Sequence, residues 1–408
     1  MVRSTGREAT EPHPLRVARL HRGLSQEALA VAVGVERRVI IRAERGAPLR
    51  PDTIRRLVRY LKRSPEALGL LPELHAVRTH ALAERVELRG PASEVAGSLR
   101  NVLVAFSSVD NLTGPGSLLS AVPAQLAVVE HLLSAAPAAV RGALLDVAAR
   151  CAELAGWVHQ DAGDLRMADQ WTARAADYAL GSGDPRLMSY VLMRRSNVAS
   201  DAEDADRALA LAQAALRDGD RLTPQLRAVA LRQEAHAHAL RGDATACARA
   251  LDRAMAEVVA PAPGEAEFDL TGYCTPGYIG MEAAACWLQL GQPKQAIATF
   301  ENRLSTWPAG FKRDLGLCLA RLAVAHAAHR ELEHASAVGQ RAVGVVREAR
   351  SARALRELAR LDTLLGEWKG ASEATEVRRA LRTLLPSATP ATGTPRAPTP
   401  EEMTRWTS

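Results

Sequence analysis

From about residue 140 the chain repeats itself. Each unit carries a small residue, an alanine-like residue 12 positions later and usually another small residue 7 after that. The triplets are Gly156/Ala168/Ala175, Ser196/Ala208/Ala215, Ala235/Cys247/Ala254, Ala284/Ala296/Arg303 and Ala323/Ala335/Ala342, with Arg303 the clear misfit. Successive first positions lie 40, 39, 49 and 39 residues apart. Self-similarity at such a period marks a repeat architecture, in which no unit buries its apolar face alone and stacked neighbours form one continuous core. Turn signals fall between the halves of a unit, at Ala162-Gly163-Asp164, Arg241-Gly242-Asp243 and Leu290-Gly291-Gln292-Pro293.

Composition says what the units are made of. Apolar residues are 47% of the chain but aromatics only 4%, so the core is built from Ala, Leu and Val, a mixture that favours helices over sheets. At 408 residues the chain is also too long for one ordinary core, and at least two units are expected. An all-α protein follows. The 12-then-7 spacing resembles the tetratricopeptide (TPR) signature, where small residues let paired helices touch closely; the period exceeds that of a standard TPR by about one helical turn. We expect a TPR-like α-solenoid over residues 141–385.

Solenoids recognise partners on their concave face. The register places Glu153, Trp157 and Gln160 there from the first unit, Met193 and Asn197 from the second, and Arg232 and His236 from the third. A side-chain amide such as that of Asn197 can pair with both polar groups of an extended peptide backbone. Trp157 reads equally as core or as a ligand platform, and Met193 reads as core. The interval of 49 holds a surplus in the Pro/Gly-rich stretch from Ala260 to Gly277, where Phe268, Tyr273 and Cys274 predict an ordered loop packed near the concave face.

The other end of the chain is different in charge. Net charge is +6 overall, but residues 1–72 hold 15 Lys and Arg against 7 Asp and Glu, or +8, leaving 37 against 39, or −2, for the rest. A basic head on a near-neutral body suits an electrostatic grip on phosphates, although a solvated charged surface would read the same way. Between Leu15 and Leu70, apolar residues recur at helical spacing through five short segments. The first ends at Gly23, Ser25 caps the second, which breaks at Gly34, and the third runs from about Glu36 to Arg45 before Gly46. A fourth follows Pro51, and Ser64-Pro65-Glu66 announces a fifth.

The run Gly23-Leu24-Ser25-Gln26-Glu27-Ala28-Leu29-Ala30, then Gly34-Val35, then Arg42-Ala43-Glu44-Arg45-Gly46, with Ile40 as an apolar anchor, resembles the Cro and phage-repressor (XRE) family over about 55 residues. The resemblance implies a five-helix DNA-binding domain over 14–72 whose third helix lies in the major groove of double-stranded DNA. It puts Arg37, Arg38 and Arg42 at base-reading positions, where relatives often carry Gln or Ser. Arginine pairs bidentately with guanine, so guanine-containing half-sites are expected; for Arg38 a phosphate contact is an equal alternative. By the same resemblance Ser25, Gln26, Arg45 and Arg50 contact the DNA backbone, Gln26 also braces the recognition helix, and Arg19 and Glu44 form a structural salt bridge. Glu36 departs from the usual Ser or Thr cap: its carboxylate suits the helix dipole but repels phosphate.

Other chemistry finds little support. There is no phosphate-binding G-x-x-x-x-G-K-[ST], and Gly181-Ser182-Gly183-Asp184-Pro185 reads as a turn. His236/His238 and His326/His329/His334 invite a metal reading, but the first pair points in different directions on a helix and His326/His329 lacks a convincing carboxylate partner, so no metal and no cofactor are expected. No nucleophile, base and acid set stands out, so the chain does not read as an enzyme. The five cysteines are scattered without C-x-x-C and read as free thiols, and neither an uninterrupted apolar span nor a signal sequence is present, which predicts a cytoplasmic protein off the membrane. Residues 1–13 and the Pro/Thr/Ala/Ser-rich 386–408 read as flexible ends, and 73–140 as connecting helices.

A repressor-like head on a TPR array resembles peptide-responsive quorum-sensing regulators and the helix-turn-helix TPR regulators of actinomycetes, the latter in keeping with 4 Lys among 52 basic residues. The resemblance implies a homodimeric transcriptional regulator whose array senses a peptide or small molecule. The alternative is a TPR scaffold for a protein partner, tethered to DNA through its head.

Overall fold

A computed structural model describes residues 13–47, 49, 51–61, 63, 68–70, 92–260, 269–305, 307 and 310–384. All regular structure among them is helical, and the chain divides into two compact units, 1–87 and 88–408. Arg50, Phe268, the expected fifth head segment at Ser64, and both ends read as flexible lie wholly or mostly outside the described residues.

The first unit holds α1 (Pro14–His21), α2 (Gln26–Val33), α3 (Arg37–Ala43) and α4 (Pro51–Leu61). Ser25 caps α2 by accepting the Ala28 amide at 3.0 Å. Gly34 then takes a left-handed conformation, φ 68° and ψ 46°, which lets α3 leave α2 sharply. Leu15, Leu29, Ala30, Ile40, Ala43, Leu57, Leu61, Leu68 and Leu70 close one small core beneath these helices.

The second unit begins with α5 (Ala92–Thr113) and α6 (Leu118–Ala135), separated at Gly114-Pro115-Gly116. The segment Pro115–Ala135 is long and apolar enough to cross a membrane by composition, with mean hydropathy 1.4. Its stripe Leu118, Val122, Leu126, Val129 and Leu133 is buried in the same core as Leu144 and Val147 of the next helix.

Helix pairs follow: α7 (Ala138–Ala162) with α8 (Leu165–Ser182), α9 (Pro185–Asp201) with α10 (Ala205–Ala215), and α11 (Pro224–Leu240) with α12 (Ala244–Val259). Then come α13 (Pro276–Gln289) with α14 (Pro293–Leu304), α15 (Lys312–Ala328) with α16 (Leu332–Glu348), and α17 (Ala352–Leu365) with α18 (Ser372–Arg382). Every small residue of the five triplets is buried within its pair. At Gly156 the fit is tight enough that a Cβ would lie 2.6 Å from Thr172 Cγ2. The misfit Arg303 has a local explanation: it lies over Gly280 of α13, where an added Cβ would stand 2.9 Å from Arg303 Nε, so a glycine in one helix makes room for the long side chain in the other. Acidic residues start several second helices, with Asp164, Asp204 and Asp243 accepting the amides of Met167, Arg207 and Ala246.

The array also meets itself. Helix α5 packs on α15 and α7 on α17, so the first helices of this unit touch the last ones. Gly114, at φ 78°, lies directly on the Arg350 backbone between α16 and α17, with no room for a Cβ.

Candidate nucleic-acid interface and inner face of the array

In the head, α3 is held from below and bare above. Ile40 and Ala43 anchor it in the core. Arg19 Nε donates to Glu44 Oε1 at 2.5 Å, its Nη2 to Oε2 at 3.1 Å and its Nη1 to the Leu24 carbonyl at 2.7 Å. Gln26 Nε2 adds a bond to Glu44 Oε2 at 2.8 Å, so α1, α2 and the end of α3 share one buried carboxylate. Burial alone would raise the Glu44 pKa, but the hydrogen bonds from Arg19 and Gln26 outweigh it and hold the carboxyl below its ordinary value. Arg19 and Glu44 form a salt bridge, and Gln26 bonds the same carboxylate.

The three arginines of α3 differ in what they touch. Arg38, exposed, pairs with the equally exposed Glu36 at 2.5 Å. Glu36 thus places its charge on Arg38 instead of capping α3. Arg37 lies 3.7 Å from Glu27, a loose exposed contact. Arg42 is exposed and has no ion pair among the described residues. Of the three, only Arg37 borders an open groove of about 630 Å³, lined also by Arg16, Arg19, Ser25, Gln26, Glu27, Ile41, Glu44 and Arg45. Arg16 was not evident from sequence as a groove residue, although its place one turn before Arg19 on α1 is the available signal. Charges at this density, beside the end of a braced helix, suit phosphate oxygens.

In the array, the expected concave-face residues do come together, and they hold one another. Glu153 on α7 accepts Arg194 Nε of α9 at 2.7 Å. Burial keeps the Glu153 carboxyl above its ordinary pKa, with Arg194 and Arg150 pulling it back only partway. Gln160 accepts Arg194 Nη2 at 2.9 Å and donates to Asn197 at 2.9 Å and Asp201 at 2.7 Å. Asn197 donates onward to Gln233 of α11 at 3.4 Å, and Arg232 donates to the same Gln233 oxygen at 2.5 Å and to Tyr278 Oη of α13 at 2.7 Å. His236 shares a hydrogen bond of 2.8 Å with Glu282. Burial works against the charge on Glu282, but Arg232, His236 and Arg321 hold its pKa far below the usual carboxylate range. Arg321 of α15 reaches Glu282 and Glu357 of α17 at 3.8 and 3.5 Å. Met193 is fully buried.

The circuit closes at Trp157. Its indole lies among the guanidinium groups of Arg194, Arg313 and Arg353, at 4.7, 4.5 and 4.5 Å from the ring centre, and its Nε1 donates to Asp110 of α5 at 2.8 Å. Asp110 also pairs with Arg313, and Asp161 accepts from Arg353 at 2.9 Å and Ser351 at 2.6 Å. Trp157 is therefore a platform whose faces are covered by the chain's own arginines. Tyr273 and Cys274, in the described part of the long loop, lie beside this region: Tyr273 packs edge-on against Tyr278, with ring centres 5.0 Å apart, and Cys274 is buried.

The histidines distribute differently from the expectation. His326 meets a carboxylate, Glu331, at 2.6 Å, and His334 stacks on it with ring centres 5.2 Å apart. Glu331 follows a turn, and its approach to His326 depends on that turn's geometry.

No curated protein matches the chain. Among solved structures, the human IFIT1 dimer with PPP-AAAA aligns over 91% of this chain and 90% of its own, at 15% identity and a TM-score of 0.29. A helix-turn-helix family model matches residues 15–68, the segment in which Ser25, Gly34 and the Arg19–Glu44 bridge set the geometry, and this head is a helix-turn-helix domain of the XRE type.

Proposed function

We propose that the chain is a sequence-specific DNA-binding transcriptional regulator, acting inside the cell as a homodimer. The observation that carries this is the bracing of α3 through Glu44 by Arg19 and Gln26, which leaves Arg37 and Arg42 exposed on its outer side. A recognition helix needs that combination: fixed geometry at its base and unspent donors at its surface. Arg37 and Arg42 read guanine, and Arg38, already balanced by Glu36, contributes less. Arg16, Arg45 and Ser25 contact phosphates along the groove, with Gln26 both a phosphate contact and a brace.

The helical array is the regulatory part of this reading, a binding module and not a catalyst. Gln160, Asn197, Arg232 and His236 are the groups a peptide or small polar effector would engage, and each now bonds a neighbouring helix. An effector that exchanged for these partners would favour a different arrangement of the array. The difference in its affinity for the two arrangements is the coupling free energy available to alter DNA binding.

Selection of genomic fragments bound by the native protein, and by Arg37→Ala with Arg42→Ala, tests the reading. Enrichment of a common guanine-containing sequence by the native protein alone is the expected outcome. Equal enrichment of the same fragments by both proteins would remove α3 from the reading role.

A further inference from the structure

We propose that the turn between α15 and α16 is a divalent transition-metal site, built from His326, Glu331 and His334 with His329 beside them. These residues follow one another as His-x-x-His-x-Glu-x-x-His. One ligand atom from each of His326, Glu331 and His334 lies within 4.8 Å of the other two. His326 is buried, Glu331 half-buried and His334 exposed, so the cluster has a fixed inner ligand and a side open to an entering ion.

A histidine at this place is not unusual in the array. His159 and His238 occupy the same position at the ends of α7 and α11, where their carbonyls accept the amides of Asp164 and Asp243 as that of His326 accepts the amide of Glu331. What differs is the acid. Asp164 and Asp243 spend their carboxylates on capping the next helix, but Glu331 makes no capping bond and turns its carboxylate to His326 Nδ1 at 2.6 Å. Arg330, at φ 67°, takes the left-handed place that Gly163 and Gly242 fill in those turns. Two further imidazoles then converge on the diverted carboxylate. His329 Nε2 is 3.8 Å from Glu331 Oε1, and His334 stacks on His326 with the rings only 21° apart. A second carboxylate, Glu301 of α14, lies 3.7 Å from His326 Nε2.

Imidazole and carboxylate without thiolate suit Zn²⁺ and its neighbours in the first transition row, and a set with this much nitrogen does not suit Mg²⁺ or Ca²⁺. Ligand bonds of about 2.0–2.2 Å put tetrahedral donor atoms roughly 3.4 Å apart. The present spacing, within 4.8 Å, is longer than that, and the exposed His334 and half-buried Glu331 are the side chains with room to move. A bound ion would fix the α15–α16 turn, and through Glu301 the α14 end, at one edge of the array.

The test uses the full-length, tag-free protein after chelator treatment, titrated with Co²⁺ alone by visible absorption and with Zn²⁺ alone by calorimetry. One equivalent of each is expected to bind, with the ligand-field bands of a tetrahedral Co²⁺ site that Zn²⁺ abolishes. His334→Ala and Glu331→Gln are each expected to weaken binding at least about tenfold, while His131→Ala, on α6 and outside the cluster, leaves it unchanged. Melting of the metal-free variants checks that they fold, and both changes sit on side chains at the surface end of the cluster. Absence of saturable uptake by the native protein overturns the site, as does equal uptake by the native protein and by folded His334→Ala.

Discussion

Arg353 on α17 donates to Asp161 on α7 at 2.9 Å across 192 residues of sequence, and Asp161 is fully buried. Ser351 bonds the same carboxylate oxygen. Together with Asp110, Arg313 and Trp157, these side chains fasten the first helices of the array to the last through polar groups. Such a fastening is sensitive to the loss of one partner, because the other is left charged in a dry site.

Asp161→Ala is therefore expected to cost about 3–5 kcal/mol in the stability of the array. Urea unfolding followed by tryptophan fluorescence is the measurement, because all six tryptophans lie outside residues 15–68 and none reports on the head. Ser351→Ala removes one neutral donor and should cost about 1–2 kcal/mol. Equal, small losses for both would mean that solvent already reaches the carboxylate.

The array should also lose stability in acid in a way that Glu282 controls. Its carboxyl is held far below the ordinary value of about 4.3, so its contribution is complete above that pH and is lost as pH falls toward its folded value. Asp161, whose burial raises its pKa, contributes with the opposite sign. Comparing the native protein with Glu282→Gln isolates the first effect: below about pH 4.3 the native protein should weaken more steeply than the variant. Parallel pH profiles would remove Glu282 from the account.

Two glycines test the local geometry. Gly34→Ala places a side chain at φ 68° and should cost about 1–2 kcal/mol and weaken DNA binding, with Gly34→Asn milder because Asn tolerates this conformation. Gly156→Ala drives a methyl against Thr172 and should cost about 1–3 kcal/mol in array stability without changing the head. Calorimetric melting, which registers both units, tryptophan fluorescence, which follows the array, and DNA titration separate the two.

Glu44→Ala leaves Arg19 buried without its partner and should cost about 3–5 kcal/mol. Gln26→Ala removes one bond to the same carboxylate, for about 1–3 kcal/mol. DNA affinity should fall in the same order, since both changes loosen α3.

Much of this was legible in the residues. Small side chains at fixed spacing left a trace because close helix packing tolerates nothing else there, and Ser25, Gly34 and Glu44 were legible because capping, turning and bridging each demand a particular residue type. The α17–α18 pair left no such trace: Asp362, which bonds Arg378 of α18, stands where the other pairs have a small residue. The closing of the array was also invisible, since Asp161 and Ser351 meet across 190 residues of sequence. Glu153, Gln160, Asn197, Arg232 and His236 could be grouped from register, but their choice of one another or of neighbouring helices as partners could not. Glu331 was missed because its approach to His326 depends on a left-handed Arg330, a conformation its residue type does not announce.

The most direct test of the central claim is a cycle on the selected operator, pairing native protein and Arg37→Ala with Arg42→Ala against DNA with guanine or 7-deazaguanine at the contacted positions. Loss of N7 should weaken the native protein by about 1–3 kcal/mol per contacted guanine and leave the double variant unaffected. Native protein that binds both DNAs equally would contradict guanine reading by α3.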